Sequence, residues 1–93
     1  MPDPLDAAAI QDRLSATPGW EREGDCIRRG YTFESYGAGV AFANRVAGLA
    51  ESADHHPDIL IGYCRVELSL TSHDAGGLTS RDFDLARRID SVP

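Results

Sequence analysis

Two adjacent histidines, His55 and His56, and a third, His73, seventeen residues further on, are the only histidines in this 93-residue chain. Imidazole has an unperturbed pKa of about 6.5, so it gives or takes a proton near neutrality. The pair lies in Glu51-Ser52-Ala53-Asp54-His55-His56-Pro57, where two carboxylates precede it. Glu51 and His55 stand four residues apart, which puts them on one face if a helix runs that far. Imidazoles beside carboxylates are the ingredients of general acid–base catalysis or of a metal site.

A lone histidine near a helix C-terminus is commonly a cap that meets the negative end of the dipole. Three that converge are harder to explain that way. A metal site is disfavoured, because adjacent residues in an extended segment point in opposite directions and His55 and His56 cannot readily hold one ion. The His-Glu-x-x-His and paired-cysteine spacings of metal sites are also missing. Gly37-Ala38-Gly39 lacks the third glycine of a dinucleotide fingerprint, and there is no phosphate-binding loop or nucleophile elbow. Ser72-His73-Asp74 has the residue types of a catalytic triad, but sequence neighbours do not make one. The remaining chemistry is metal-free acid–base work on a small polar ligand.

The elements that must position these groups follow from patterning. Residues 4–16 read as a helix with Asp3 as its cap and Pro4 in its first turn. Residues 20–23 and 26–33 read as a hairpin turning at Gly24-Asp25. Ile27, Tyr31 and Phe33 share one face of it, and Arg29 is the discordant member. Trp20 is either a core anchor or an aromatic wall for a flat ligand.

Residues 36–52 read as the longest helix, capped by Ser35 and rich in glycine and alanine, a surface that lets another helix approach closely. Pro57 breaks it. Residues 58–63 and 65–71 read as two strands, the second with Val66, Leu68 and Leu70 alternating with polar neighbours. After a loop around His73, Thr79 caps a last helix over residues 80–90, with Asp82 three residues from the cap. The order α-β-β-α-β-β-α predicts an α+β two-layer sandwich: a four-stranded antiparallel sheet with helices on one face. The hairpin of the last two strands should bring residues 57 and 71 near each other, and all three histidines to one end of the sheet.

One domain, residues 1–93, is expected at this length. Nine basic against fifteen acidic residues, a net charge of −6, argue against nucleic acid or an anionic membrane as the partner. Cys26 and Cys64 are expected to be buried reduced thiols. The acidic segment Met1-Pro2-Asp3-Pro4-Leu5-Asp6 has no secretory features, and no apolar run is long enough to cross a membrane. A cytoplasmic location is expected.

The pattern Glu51-x3-His55-His56-Pro57-x5-Tyr63-x9-His73-x8-Asp82 resembles the signature of the pterin-4a-carbinolamine dehydratases, known in animals also as the dimerisation cofactor of a homeodomain transcription factor. The resemblance extends to Trp20 after Pro18-Gly19, to Tyr31-Thr32-Phe33, to Ser69-Leu70-Thr71-Ser72-His73 and to Gly77-Leu78-Thr79-Ser80-Arg81-Asp82. It implies the same fold, a homodimer or homotetramer with sheets joined edge to edge, and no metal or bound cofactor. It implies dehydration of a 4a-hydroxytetrahydropterin to the quinonoid dihydropterin, which recycles the pterin cofactor, tetrahydrobiopterin or another 6-substituted form, after aromatic amino-acid hydroxylation.

By resemblance, the catalytic residues are His55, His56, His73 and Glu51: His55 and His73 are the acid/base pair, serving opposite faces of the pterin, and His56 binds and orients the ring and shares in proton transfer. Glu51 tunes His55. Asp54 and Asp82 are polar ligand contacts or supports, Trp20 and Pro57 are apolar walls, and the backbone of Thr71 and Ser72 reads the pyrimidine edge. Ile59 and Leu60 stand where the family often has aromatics, and Gly77 makes the loop after His73 rich in glycine. Some relatives lack the histidines and act as assembly chaperones for a carbon-fixing enzyme. Retention of His55, His56 and His73 speaks against that alternative, a non-catalytic interaction module.

Overall fold

Alternation over residues 65–70 divides that strand cleanly. Val66, Leu68 and Leu70 are fully buried, and Arg65, Glu67 and Ser69 turn to the other face. The computed structural model describes residues 3–92, and Met1, Pro2 and Pro93, at the ends of the expected domain, lie outside the described residues. In chain order the elements are α1 (Ala7–Ser15), β1 (Glu21–Glu23), β2 (Cys26–Thr32), α2 (Tyr36–Ala53), β3 (Asp58–Gly62), β4 (Arg65–Leu70), a single 3-10 turn (His73–Ala75) and α3 (Ser80–Asp90).

The strands form one antiparallel sheet in the order β1-β2-β4-β3. Ile27 pairs with Leu70 and Tyr31 with Val66 across β2 and β4, and Ile59 pairs with Leu68 across β3 and β4. Cross-strand partners share a face, so these residues make one apolar surface. Phe42 and Val46 of α2 and Phe83, Leu85 and Ile89 of α3 complete the core against it, with Leu5, Ile10 and Leu14 from the N-terminal segment. The opposite face is charged, with Arg28 paired to Glu23 at 2.8 Å and Arg65 to Glu67 at 3.1 Å. The α+β sandwich expected from the sequence is the fold observed.

Ser35 caps α2 as expected, accepting from the Ala38 N–H at 3.1 Å. The capping box of α3 also forms, with Thr79 and Asp82 as its two members. The first helix differs from expectation. It starts at Ala7, and its cap is Asp6, not Asp3, with the Asp6 carboxylate accepting from the Ala9 N–H at 2.8 Å. The Leu5 N–H donates to the Leu78 carbonyl at 2.8 Å, which commits the preceding residues to a tertiary contact rather than to a helical turn. Cys26 and Cys64 are free thiols but only half-buried.

Arg29 was discordant in sequence, and Asp90 explains it. The Arg29 guanidinium donates to Asp90 Oδ1 and to the Pro18 carbonyl, both at 3.1 Å, and lies over the Tyr31 ring. The Tyr31 hydroxyl and the Trp20 indole N–H donate to the same carboxylate. Burial first, and then the bond to Asp90, push the Tyr31 hydroxyl well above the usual tyrosine range. Among the described residues no helix is long and apolar enough to cross a membrane.

Candidate active site

Helix α2 stops at Asp54, whose left-handed backbone (φ 51, ψ 42) lets its N–H reach the carbonyls of Ala50 and Glu51. The chain reverses there. His55 donates its own N–H to the Ala50 carbonyl at 3.1 Å and turns inward, leaving only 8% of its surface exposed. Pro57 then forces an extended backbone into β3. Asp58 pairs with Ser69, which brings Pro57 level with Leu70, one residue short of the expected Thr71. The strand pairing therefore carries residues 71–73 past the histidine pair.

His55 Nε2 lies 2.5 Å from Asp82 Oδ1. Asp82 is wholly buried, and its other oxygen accepts from Ser72 Oγ and from the Thr79 N–H, each at 2.9 Å. Ser72 spends its single hydroxyl proton on Asp82, so the 2.9 Å contact between Ser72 Oγ and Thr79 Oγ1 is donated by Thr79. Both partners of Oδ2 donate to it. In the tautomer that carries its proton on Nε2, His55 donates to Asp82 and keeps Nδ1 as an acceptor.

Glu51 does not pair with His55. Its Oε1 lies 2.6 Å from His56 Nε2, and both side chains are exposed. The i,i+4 expectation fails because Asp54 ends the helix before His55, so helical spacing no longer applies and His56 swings back over Glu51. The two adjacent rings diverge, one inward and one outward, as extended neighbours do.

His55, His56 and His73 line one open cavity of about 350 Å³ together with Asp54, Thr71, Asp74 and Arg81. His73 is exposed and opens the 3-10 turn, which ends at Gly76 with φ +79, a conformation glycine adopts without strain. Thr71 Oγ1 donates to the Asp25 carbonyl at 2.5 Å and so ties this wall to the β1–β2 turn.

Several residues expected at the ligand lie elsewhere. Trp20 is 4% exposed, and its indole N–H bonds to Asp90. Asp90 is eight residues along α3 from Asp82, roughly 12 Å at 1.5 Å per residue. Trp20 is therefore a core anchor rather than a wall of this cavity. Asp82 and Ser72 are buried beneath the cavity and not on its surface. The Ser72 carbonyl is taken up by the N–H groups of Ala75, Gly76 and Gly77 rather than left free to read a ligand edge. Glu51 and Pro57 flank the cavity without lining it.

Sequence reading gave no role to Asp74 or Arg81, which face each other at 2.6 Å across the cavity rim. The Arg81 bond holds the Asp74 carboxyl below the ordinary carboxylate range. The available signal was an acid directly after His73 and a base directly before Asp82.

Imidazoles beside carboxylates can pass protons. His55 and His56 are held by different carboxylates, and among the described residues no group of three His, Cys, Asp or Glu side chains is arranged to hold a metal ion. A second depression, of about 330 Å³, lies on the open sheet face around Arg28, Asp58, Leu60 and Glu67, and it contains no imidazole.

A family model described as pterin 4 alpha carbinolamine dehydratase matches residues 3–92. A relative from Thermomicrobium roseum, provisionally named a pterin-4-alpha-carbinolamine dehydratase, is 55% identical over 85 residues, 91% of each chain. One from Natronomonas pharaonis with the same provisional name is 51% identical over 92 residues, covering 99% of this chain and 98% of its own. Among solved structures, a transcriptional coactivator/pterin dehydratase from Brucella melitensis superposes with a TM-score of 0.91 at 28% identity, covering 96% of this chain and 97% of that one. A pterin dehydratase-like protein described as a RuBisCO assembly factor in the alpha-carboxysome superposes with a TM-score of 0.63 at 25% identity, over 77% of this chain and 83% of that one. Matched along almost its whole length by the family model and by relatives at about half identity, the chain belongs to the pterin-4-alpha-carbinolamine dehydratase family.

Proposed function

We propose that this chain removes water from a 4a-hydroxytetrahydropterin by histidine acid–base catalysis, yielding the quinonoid dihydropterin. The observation that carries this reading is the convergence of His55, His56 and His73 on one cavity, with His55 fixed from below by Asp82. In the reaction, the ring-nitrogen lone pair forms a C=N bond as the C–O bond breaks. An acid protonates the departing oxygen, which leaves as water, and a base takes the nitrogen-bound proton. No electrons are gained or lost, so two proton-transfer groups suffice.

His55 and His73 are the acid/base pair in this reading. Asp82 keeps His55 in one tautomer and stabilises its ring when it is protonated, leaving Nδ1 to act. His56, steadied by Glu51, orients the pterin, and Asp54 and Thr71 supply polar contacts to it. Neither a metal nor a bound cofactor takes part. The chain works in the cytoplasm, in tetrahydrobiopterin recycling, coupled to an aromatic amino-acid hydroxylase.

A homodimer or homotetramer belongs to the same proposal. Leu60, Ile61 and Tyr63 at the edge strand β3, with Tyr36 and Val40 of α2, are large apolar side chains left exposed. An open edge beside exposed apolar groups favours pairing with a second copy. The competing reading, a non-catalytic interaction module, draws on the coactivator and assembly-factor descriptions of the two structural relatives.

The test is to add purified protein to a hydroxylase reaction that releases 4a-hydroxytetrahydropterin, with and without a chelator. Faster appearance of the quinonoid product, unaffected by the chelator, is expected. A rate held at the uncatalysed level would leave the interaction-module reading in its place.

A further inference from the structure

His73 opens the short turn that forms one wall of the cavity. Its turn is three residues long, and the N–H groups of Ala75, Gly76 and Gly77 all close on the Ser72 carbonyl at 3.1 to 3.3 Å. Those bonds shape the turn. They do not set its angle to α3, where the rest of the proton-transfer apparatus is anchored. Ser72, just before the turn, is tied to the start of α3 through Asp82 and Thr79, and beyond it the side-chain link from turn to helix is Arg81 Nη2 donating to Asp74 Oδ1 at 2.6 Å.

Consecutive residues in the first turn of α3 thus bond toward the cavity in different directions. Asp82 points inward and grips His55 directly. Arg81 points along the rim and grips Asp74, the residue bonded to His73. We propose that Arg81 is a positioning residue: through Asp74 it sets His73 against the His55–Asp82 pair. The proposal rests on the acid–base reading of the cavity.

A role limited to stability fits Arg81 less well. Its side chain is about one-third exposed, and ion pairs in such settings contribute little to folding. Its Nε is buried and finds no acceptor among the described residues, an unfavourable feature for a group kept only to stabilise the fold. What the guanidinium does achieve is a second tie between helix and turn, beside the one through Ser72.

The experiment uses the full chain and two readouts. With three histidines, the imidazole Cε1–H signals can be assigned by substitution and followed by NMR. Arg81→Met should move or broaden the His73 signal, Asp74→Asn should do the same, and Arg81→Lys should restore much of it, since an ammonium still donates to Asp74. In dehydration assays Arg81→Met should lower kcat on the order of tenfold with little change in KM, the scale expected for a displaced catalytic group. The loss should vanish when His73 is already alanine. An unchanged His73 signal in folded Arg81→Met, or an equal loss with and without His73, overturns the proposal. If the wild-type chain shows no dehydration, the reading of the cavity is at fault, and the imidazole signals alone decide the clamp.

Discussion

His55 Nε2 and Asp82 Oδ1 sit 2.5 Å apart, beneath the open cavity, although 27 residues separate them in the chain. The contact ties the end of α2 to the start of α3 and gives the inward-turned histidine a fixed orientation. Asp82 also closes the capping box of α3, so one carboxylate serves both helix start and imidazole.

Asp82→Asn should damage both roles. The amide offers only one acceptor oxygen where three donors converge, so at least one buried donor is left unmet, at about 1–3 kcal/mol. Turnover should fall by about 10²-fold or more, because the His55 tautomer is no longer enforced. A thermal melt alongside the dehydration rate checks this. Unchanged stability and rate would show that the buried network is dispensable.

His73→Ala should separate activity from folding. The side chain is exposed on a rim turn, so the melting temperature should hold. Turnover should drop by about 10²-fold if His73 is one of the two proton-transfer groups. A folded variant with undiminished turnover would remove His73 from the mechanism.

The folded chain should keep Tyr31 as a phenol well beyond the usual tyrosine range, because burial and Asp90 disfavour the phenolate. A raised folded pKa gives stability that is complete below the unfolded value near 10 and is lost as pH rises through the folded value. Wild type and Tyr31→Phe should therefore show the same phenolate absorbance at about pH 11 while folded. An absorbance lower by one tyrosine in the variant would show that Tyr31 had ionised in the wild type.

Static light scattering should give twice or four times the 10.1 kDa chain mass at about tens of micromolar, a range above the dissociation constants of stable interfaces. Charging the exposed edge, with Leu60→Lys and Tyr63→Lys together, should lower that mass while leaving the fold intact. A wild-type monomer would remove the edge-pairing proposal.

The layout of the fold was legible in local signals: the period-2 run in β4, the caps at Ser35 and Thr79, and the break at Pro57. The α1 boundary was not, because the bond from Leu5 to Leu78 is tertiary and two acids compete to cap. In the site, the convergence of the histidines followed from one hairpin register. Their partners did not. The left-handed backbone of Asp54, a non-glycine residue, carries no sequence mark, yet it decides that Glu51 meets His56 and leaves His55 to Asp82. Trp20 was open to two readings, and only the three-dimensional meeting with Asp90 decided between them.

The central claim is that His55 and His73 move the protons of dehydration. The most direct measurement is the rate of quinonoid dihydropterin formation from freshly released 4a-hydroxytetrahydropterin, with wild type and with a folded His55→Ala/His73→Ala variant. Clear acceleration by wild type, falling to the uncatalysed rate in the double variant, is the predicted result. A double variant as fast as wild type would contradict the account.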